Sequence, residues 1–203
     1  EEIPWNELPN QFVIKWNFGC GQNLICFDKS KLDIDDAKHK LRTWYNTKDT
    51  FYLTYSEMQY KGIKPLLICE KLIETADGNL PVDYKFYCFD GRAECVLVCV
   101  GRDNQGHGAK YYFFNKKWEL LRYNKTGKDA PQDFSLPKPE GIESLFEYAE
   151  KLSKPFPFVR ADFYLENGKI TFGELTFTPC GGFDTNRLPE TQEYFGSLVN
   201  PKK

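Results

Sequence analysis

The dipeptide Asp90-Gly91 constrains this chain more than any other feature of its sequence. Asp-Gly between two apolar runs is a strong hairpin signal, because a two-residue turn asks for positive φ at both central positions. Residues 83–89 and 92–100 on either side therefore read as paired antiparallel strands. Residues 159–165 and 169–175 repeat the pattern through Glu166-Asn167-Gly168. Residues 111–114 and 118–121 make another hairpin around Asn115-Lys116-Lys117, and residues 12–15 and 24–27 flank a turn that holds Gly19 and Gly21. Residues 66–73 are a nearly continuous apolar strand broken by Glu70 and Lys71, charges that mark either a strand emerging at a sheet edge or a strand end lining a ligand pocket. Hairpins interleaved with separate helices indicate an α+β fold with mainly antiparallel sheets.

Two helices have clear apolar stripes. One spans residues 34–46, with Ile34, Ala37, Leu41, Trp44 and Tyr45 inward and Asp33 as N-cap. The other spans residues 142–152, with Ile142, Leu145, Phe146, Ala149 and Leu152 inward. Residues 125–139, polar and Pro-bearing, read as a loop or a connection between lobes. The tail after Pro179 is irregular, then weakly helical.

Composition removes whole classes of function. A chain of 203 residues buries roughly two-thirds of its unfolded surface, so it needs no metal or disulfide staple to fold. Its 27 basic and 29 acidic residues leave no basic excess for nucleic acid. No apolar run reaches the length of a membrane span, and no signal-peptide pattern opens the chain. The seven cysteines form no CxxC pair, and only His39 and His107 could join them at a zinc site. They read as small buried hydrophobes of a cytoplasmic protein, with Cys20 and Cys180 set apart in glycine-rich loops.

The segment from Phe158 to Pro179 carries the densest chemistry. Alternation puts Val159, Ala161, Phe163 and Leu165 on one face, and Arg160, Asp162 and Tyr164 on the other. A two-residue turn at Asn167-Gly168 would pair Asp162 with Gly173 and send Glu174 to the opposite face. A three-residue turn with a bulge at Gly168 would pair Arg160 with Glu174 and let Asp162 and Glu174 share a face. Two carboxylates on one face beside an arginine suit magnesium, which takes one or two carboxylates and completes its shell with phosphate and water. A solvated Arg160–Glu174 pair is the plainer alternative. Upstream, Lys15 precedes the glycine turn, where it could hold phosphate oxygens, and Lys85 occupies an interior strand position rare for a charge. Arg102, His107 and Lys110 lie in a polar loop that faces either an acceptor or solvent.

Taken in order, these pieces resemble the ATP-grasp superfamily, and within it the TupA-like group tied to teichuronopeptide and bacterial surface polysaccharide biosynthesis. The resemblance is carried by residues 8–15, by Asn17-x-Gly19-x-Gly21-x-Asn23, by Ile63-Lys64-Pro65 leading into Glu70-Lys71-Leu72, and by residues 83–91. It continues in residues 156–162 and 172–179. It implies an ATP-grasp fold of two α+β lobes, residues 1–72 and 73–203, clasping ATP between them, with a further N-terminal region upstream. It implies that Lys15, Gly19, Gly21 and Asn23 bind the nucleotide phosphates, the turn acting as a flexible loop that closes over them. Glu70, Lys71 and Leu72 would take the adenine side. Lys85 and Arg160 would act in catalysis on phosphate, and Asp162, Glu174 and Thr176 would hold Mg2+. Thr176 stands where many relatives have Asn. The implied activity is an ATP- and magnesium-dependent ligase joining a small-molecule or glycan carboxylate to an amine. The alternatives are a phosphotransferase acting on a glycan hydroxyl and a non-catalytic nucleotide- or glycan-binding module.

Overall fold

The protein is described by a computed structural model covering residues 3–103 and 106–200. Its contacts divide the chain after Ile73 into two units, each with its own antiparallel sheet.

The first unit contains β1 (Phe12–Trp16), β2 (Asn23–Cys26), α1 (Ile34–Tyr45), α2 (Phe51–Thr54) and β3 (Leu67–Lys71), with strand order β2-β1-β3. Alternation turns Phe12, Ile14, Leu24 and Cys26 to one face, where they pack with Ala37 and Leu41 of α1. The Asp33 carboxylate accepts from the backbone N–H groups of Asp35 and Asp36 and caps the helix. The buried stripe is narrower than its sequence suggests, since Ile34 and Tyr45 are exposed. β3 takes the edge reading of the two its charges allow: it is an exposed edge strand, and only its first residue is half-buried. An apolar run does not reveal whether both of its sides will be covered. At an edge, Glu70 and Lys71 reach water without cost.

The second unit is larger: β4 (Asp83–Phe89), β5 (Arg92–Val100), β6 (Lys110–Phe114), β7 (Leu120–Leu121), α3 (Lys125–Lys128), α4 (Ile142–Ser153), β8 (Phe158–Glu166), β9 (Lys169–Thr176) and α5 (Pro189–Leu198). Its sheet runs β7-β6-β5-β4-β8-β9, so β4 lies inside, flanked by the two long hairpin strands β5 and β8. One face is wholly apolar. Phe86, Val96, Val98, Phe114, Val159, Ala161 and Phe163 pack there with Ile142, Leu145, Phe146 and Ala149 of α4. Leu152 is exposed and Ser153 takes the next buried position of the helix. The opposite face is divided. Tyr87, Phe89, Cys95, Leu97 and Phe113 cluster with Phe195 of α5. The remainder of that face carries charged side chains.

Two segments differ from their sequence reading. Trp118 is not a strand residue: it takes positive φ, stacks on Phe114 and donates through its indole N–H to the Leu136 carbonyl. The polar stretch from residue 125 begins with the short α3, whose N-cap Asn124 accepts from Gly127 N–H. Arg122 then donates to the carbonyls of Gly127, Lys128, Ala130 and Pro131. One guanidinium organises a segment with little apolar content.

Candidate functional site

The β8–β9 hairpin turns on Asn167 and Gly168, with φ of 51° and 72°. The two-residue turn pairs Glu166 with Lys169, and the ladder continues to Phe163 opposite Phe172. There the register slips by one residue. Gly173 is left over, Asp162 faces Glu174, and Arg160 faces Thr176. This corrects both turn-based alternatives: the turn is the short one, and a bulge inside β9 brings the carboxylates to one face. Glycine suits the position because a Cβ there would lie 3.1 Å from the Asp162 carbonyl oxygen. The available signal was an isolated glycine within a strand pattern, which often marks a bulge.

β4 lies against the other edge of β8, with Lys85 opposite Asp162 and Tyr87 opposite Arg160. Five charged side chains meet as a result. Arg160 donates from Nε to Asp162 Oδ1 and from Nη2 to Asp162 Oδ2, both at 2.7 Å. Its Nη2 also reaches Thr176 Oγ1 at 2.9 Å and Glu174 Oε1 at 3.2 Å, and Thr176 donates to Glu174 Oε1 at 2.8 Å. Lys85 Nζ bridges Asp162 Oδ2 and Asp83 Oδ2, at 2.7 Å each. Arg102 adds a sixth charge, with Nη1 3.6 Å from Asp83 Oδ2 and Nη2 donating to the Pro81 carbonyl.

Asp83 and Asp162 are buried, while the Glu174 side chain is half exposed. Burial by itself would lower the Lys85 pKa, but the Asp162 and Asp83 carboxylates outweigh it and hold the ammonium above its ordinary range. Arg160 behaves likewise: desolvation opposes its charge, and the charge of Asp162 with its hydrogen bonds more than compensates. Desolvation pushes the Tyr164 phenol, on the same face, up to about 12. Buried ion pairs are weak contributors to stability, because desolvation offsets most of the attraction. A cluster of this kind inside a sheet is therefore a candidate for function.

The sequence does not single out Asp83 as a site residue, although strand alternation puts residues 83 and 85 on one face of β4. The structure brings Arg102 to the cluster but not its two neighbours in the loop. His107 is well exposed and lies 3.7 Å from Asp103, and Lys110 is exposed at the start of β6.

The remaining expected residues belong to the first unit. Lys15 Nζ lies 2.9 Å from Glu70 Oε2, and Asn23 is the register partner of Lys15 across β1–β2. Lys71 is exposed, and Leu72 is buried with its N–H donating to the Gln11 carbonyl. The glycine turn is fastened over its first half. Asn17 donates from its backbone to the Leu66 carbonyl, and its side-chain amide accepts from Leu66 N–H and donates to the Lys64 carbonyl. Phe18 is buried, and a Cβ on Gly19 would meet the Phe51 ring at 2.9 Å. Cys20 and Gly21 are exposed.

Lysine and two arginines around carboxylates can exchange those carboxylates for phosphate oxygens, the ligands that guanidinium forks match best. Asp162, Glu174 and Thr176 offer hard oxygen donors side by side, which fits magnesium. Among the described residues no group of three or more His, Cys, Asp or Glu side chains is placed to hold a metal ion. A cation here would need further oxygens from a bound ligand.

A family model described as TupA-like ATPgrasp matches residues 1–200. Among solved structures, the chain is similar to D-alanine–D-alanine ligase from Bacillus anthracis complexed with ATP. The TM-score is 0.53 at 15% identity, covering 98% of this chain and 55% of that one. A second structure of the Bacillus anthracis ligase gives 0.52 at 14% identity, covering 98% and 56%. At such identity the likeness shows the fold, and this chain spans just over half the length of those ligases. No match was found among curated proteins.

Proposed function

The chain belongs to the TupA-like ATP-grasp family, and on that footing we propose that it is an ATP- and magnesium-dependent carboxylate–amine ligase of bacterial surface polysaccharide biosynthesis. The observation that carries this reading is the cation–carboxylate cluster on one face of the larger sheet, where Lys85 and Arg160 meet Asp162, Glu174 and Thr176. In the proposed reaction a substrate carboxylate oxygen attacks the γ-phosphorus of ATP and ADP leaves, giving an acyl phosphate. An amine then attacks the acyl carbon, phosphate departs, and the amine loses a proton. The carboxylate substrate would be a uronic acid of a glycan or its precursor, and the reaction would take place in the cytoplasm. Among the described residues no helix is long and apolar enough to cross a membrane.

Lys85 and Arg160 would offset the charge on the phosphoryl group in transfer, the main task of a protein in such chemistry. Asp162, Glu174 and Thr176 would hold the metal, and Arg102 would add positive charge beside them. Magnesium, when bound, would supply charge neutralisation at the phosphate oxygens. In the first unit Lys15, Gly19, Gly21 and Asn23 would bind phosphates, and Glu70, Lys71 and Leu72 the base and ribose.

The test is to incubate the protein with magnesium-ATP, candidate uronates and amines, and to identify products by mass. ADP with a new amide is expected. ADP with a phosphorylated sugar would replace the ligase by a kinase, and the absence of turnover with every pair would leave a binding module.

A further inference from the structure

Asp162 is the most heavily engaged carboxylate in the cluster. Both oxygens accept from Arg160, Oδ2 also accepts from Lys85, and the side chain is 3% exposed. A carboxylate has about four acceptor positions, and three here are taken by cations. A divalent ion approaching the same oxygens meets their repulsion. To serve a metal, Asp162 must first give up a cation to a better acceptor. A buried cation leaves one carboxylate readily only where another stays with it, because an unpaired buried charge is costly.

Each cation of the clamp has such a second partner. Arg160 has Glu174 and Thr176. Lys85 has Asp83, two residues back on β4, at 2.7 Å. Lys85 lies opposite Leu97 and Asp162, and Asp83 opposite Cys99 and Tyr164, so beyond Asp162 and Asp83 these strand partners offer Lys85 no carboxylate. Arg102 Nη1 lies 3.6 Å from the same Oδ2, while among the described residues the buried Asp83 Oδ1 has no hydrogen-bond partner. The carboxylate is thus oriented by the two cations that share its other oxygen.

We infer that Asp83 is a positioning residue that retains Lys85 while Asp162 passes from its cations to the metal–nucleotide. The inference rests on the nucleotide reading above and predicts that Asp83 matters most when metal is present. ADP binding to wild type and to D83N is measured by titration calorimetry, once with magnesium and once in EDTA. D83N is expected to weaken ADP binding at least tenfold with magnesium and less than threefold in EDTA. Equal losses in the two buffers, or no loss in either, would overturn the role of Asp83. Wild type that binds no ADP in either buffer would instead sink the nucleotide reading, and this inference with it.

Because Asp83 acts through Lys85, adding D83N to K85M should change magnesium-supported ADP binding less than twofold. A tenfold loss there would also overturn the assignment. Should D83N alone fail to fold, the thermal midpoints of K85M and K85M/D83N decide. A double variant melting no lower than K85M supports the pairing, and one melting lower refutes it.

Discussion

The hairpins β4–β5 and β8–β9 both turn on two residues of positive φ, Asp90-Gly91 and Asn167-Gly168, and both carry one residue too many on the second strand. They differ in where the extra residue falls. In β4–β5 the register slips beside the turn, with Tyr87 opposite Cys95 and Cys88 opposite Ala93, so that Glu94 is left over. Glu94 accepts from the Tyr194 hydroxyl of α5, at the end of the sheet away from Lys85. In β8–β9 the slip lies well inside the strand, beside the charged cluster. There it decides which face Glu174 joins. The same local device trims a hairpin end in one place and aims a candidate metal ligand in the other.

The largest effect should come from the two carboxylates that face one another across the second bulge. Asp162 is buried between two cations, so D162N should lower unfolding free energy by about 3–5 kcal/mol in urea titrations. Glu174 is half exposed, and E174Q should cost less than about 1 kcal/mol. Under the proposed function both should reduce ATP-dependent turnover at least about 100-fold, roughly 2.7 kcal/mol of barrier. Equal destabilisation by the two would mean that they form one structural pair, and full activity in both would remove the metal assignment.

Glycine replacements come next. G173A places a Cβ 3.1 Å from the Asp162 carbonyl oxygen, and G91A places one 3.2 Å from Lys154 Cα at positive φ. Each should cost about 1–3 kcal/mol by overpacking. G168A faces open space, with only its φ of 72° to oppose it, and should cost about 1 kcal/mol. Of the three, only G173A should weaken magnesium-supported nucleotide binding. Deleting Gly173 should let the ladder run on with Glu174 still opposite Asp162, keeping that binding within tenfold of wild type.

The smallest effect is alkaline. Burial pushes Tyr84 of the first hairpin and Tyr164 of the second up to about 12, and Cys88 likewise. In the unfolded chain these groups lose protons near pH 10 and pH 8.5. The unfolded state therefore releases protons first, and the stability they contribute is complete below about pH 8.5 and lost as pH rises towards 12. Urea midpoints should be flat from pH 7 to 8 and fall above pH 9. Y84F and Y164F should each remove part of that decline. If only one does, the apolar face that holds Tyr84 and the charged face that holds Tyr164 do not contribute equally.

What could be read from the sequence was local. Asp90-Gly91 marked its turn, strand alternation separated Val159, Ala161 and Phe163 from Arg160 and Asp162, and Asp33 capped α1, because each depends on neighbours within a few residues. The resemblance to the ATP-grasp superfamily was legible in the order of short motifs, and the family match bears it out. For β3 the charges Glu70 and Lys71 left an edge and a pocket lining both open, since a run of apolar residues looks the same at an edge as in the middle of a sheet. The place of Trp118, whose indole closes on Leu136 eighteen residues away, was not legible.

The cluster divides along the same line. Periodicity alone determined that Asp83 and Lys85 share a face of β4, and that Arg160 and Asp162 share one of β8. Only the tertiary structure set β4 against β8 in the register that puts Lys85, 77 residues distant, on Asp162. It alone spent the extra residue at Gly173 and not at the turn. Side-chain parity is a property of one strand and is written in its residues. Register is settled by which ladder bonds and which core contacts close together, and no single strand contains that choice.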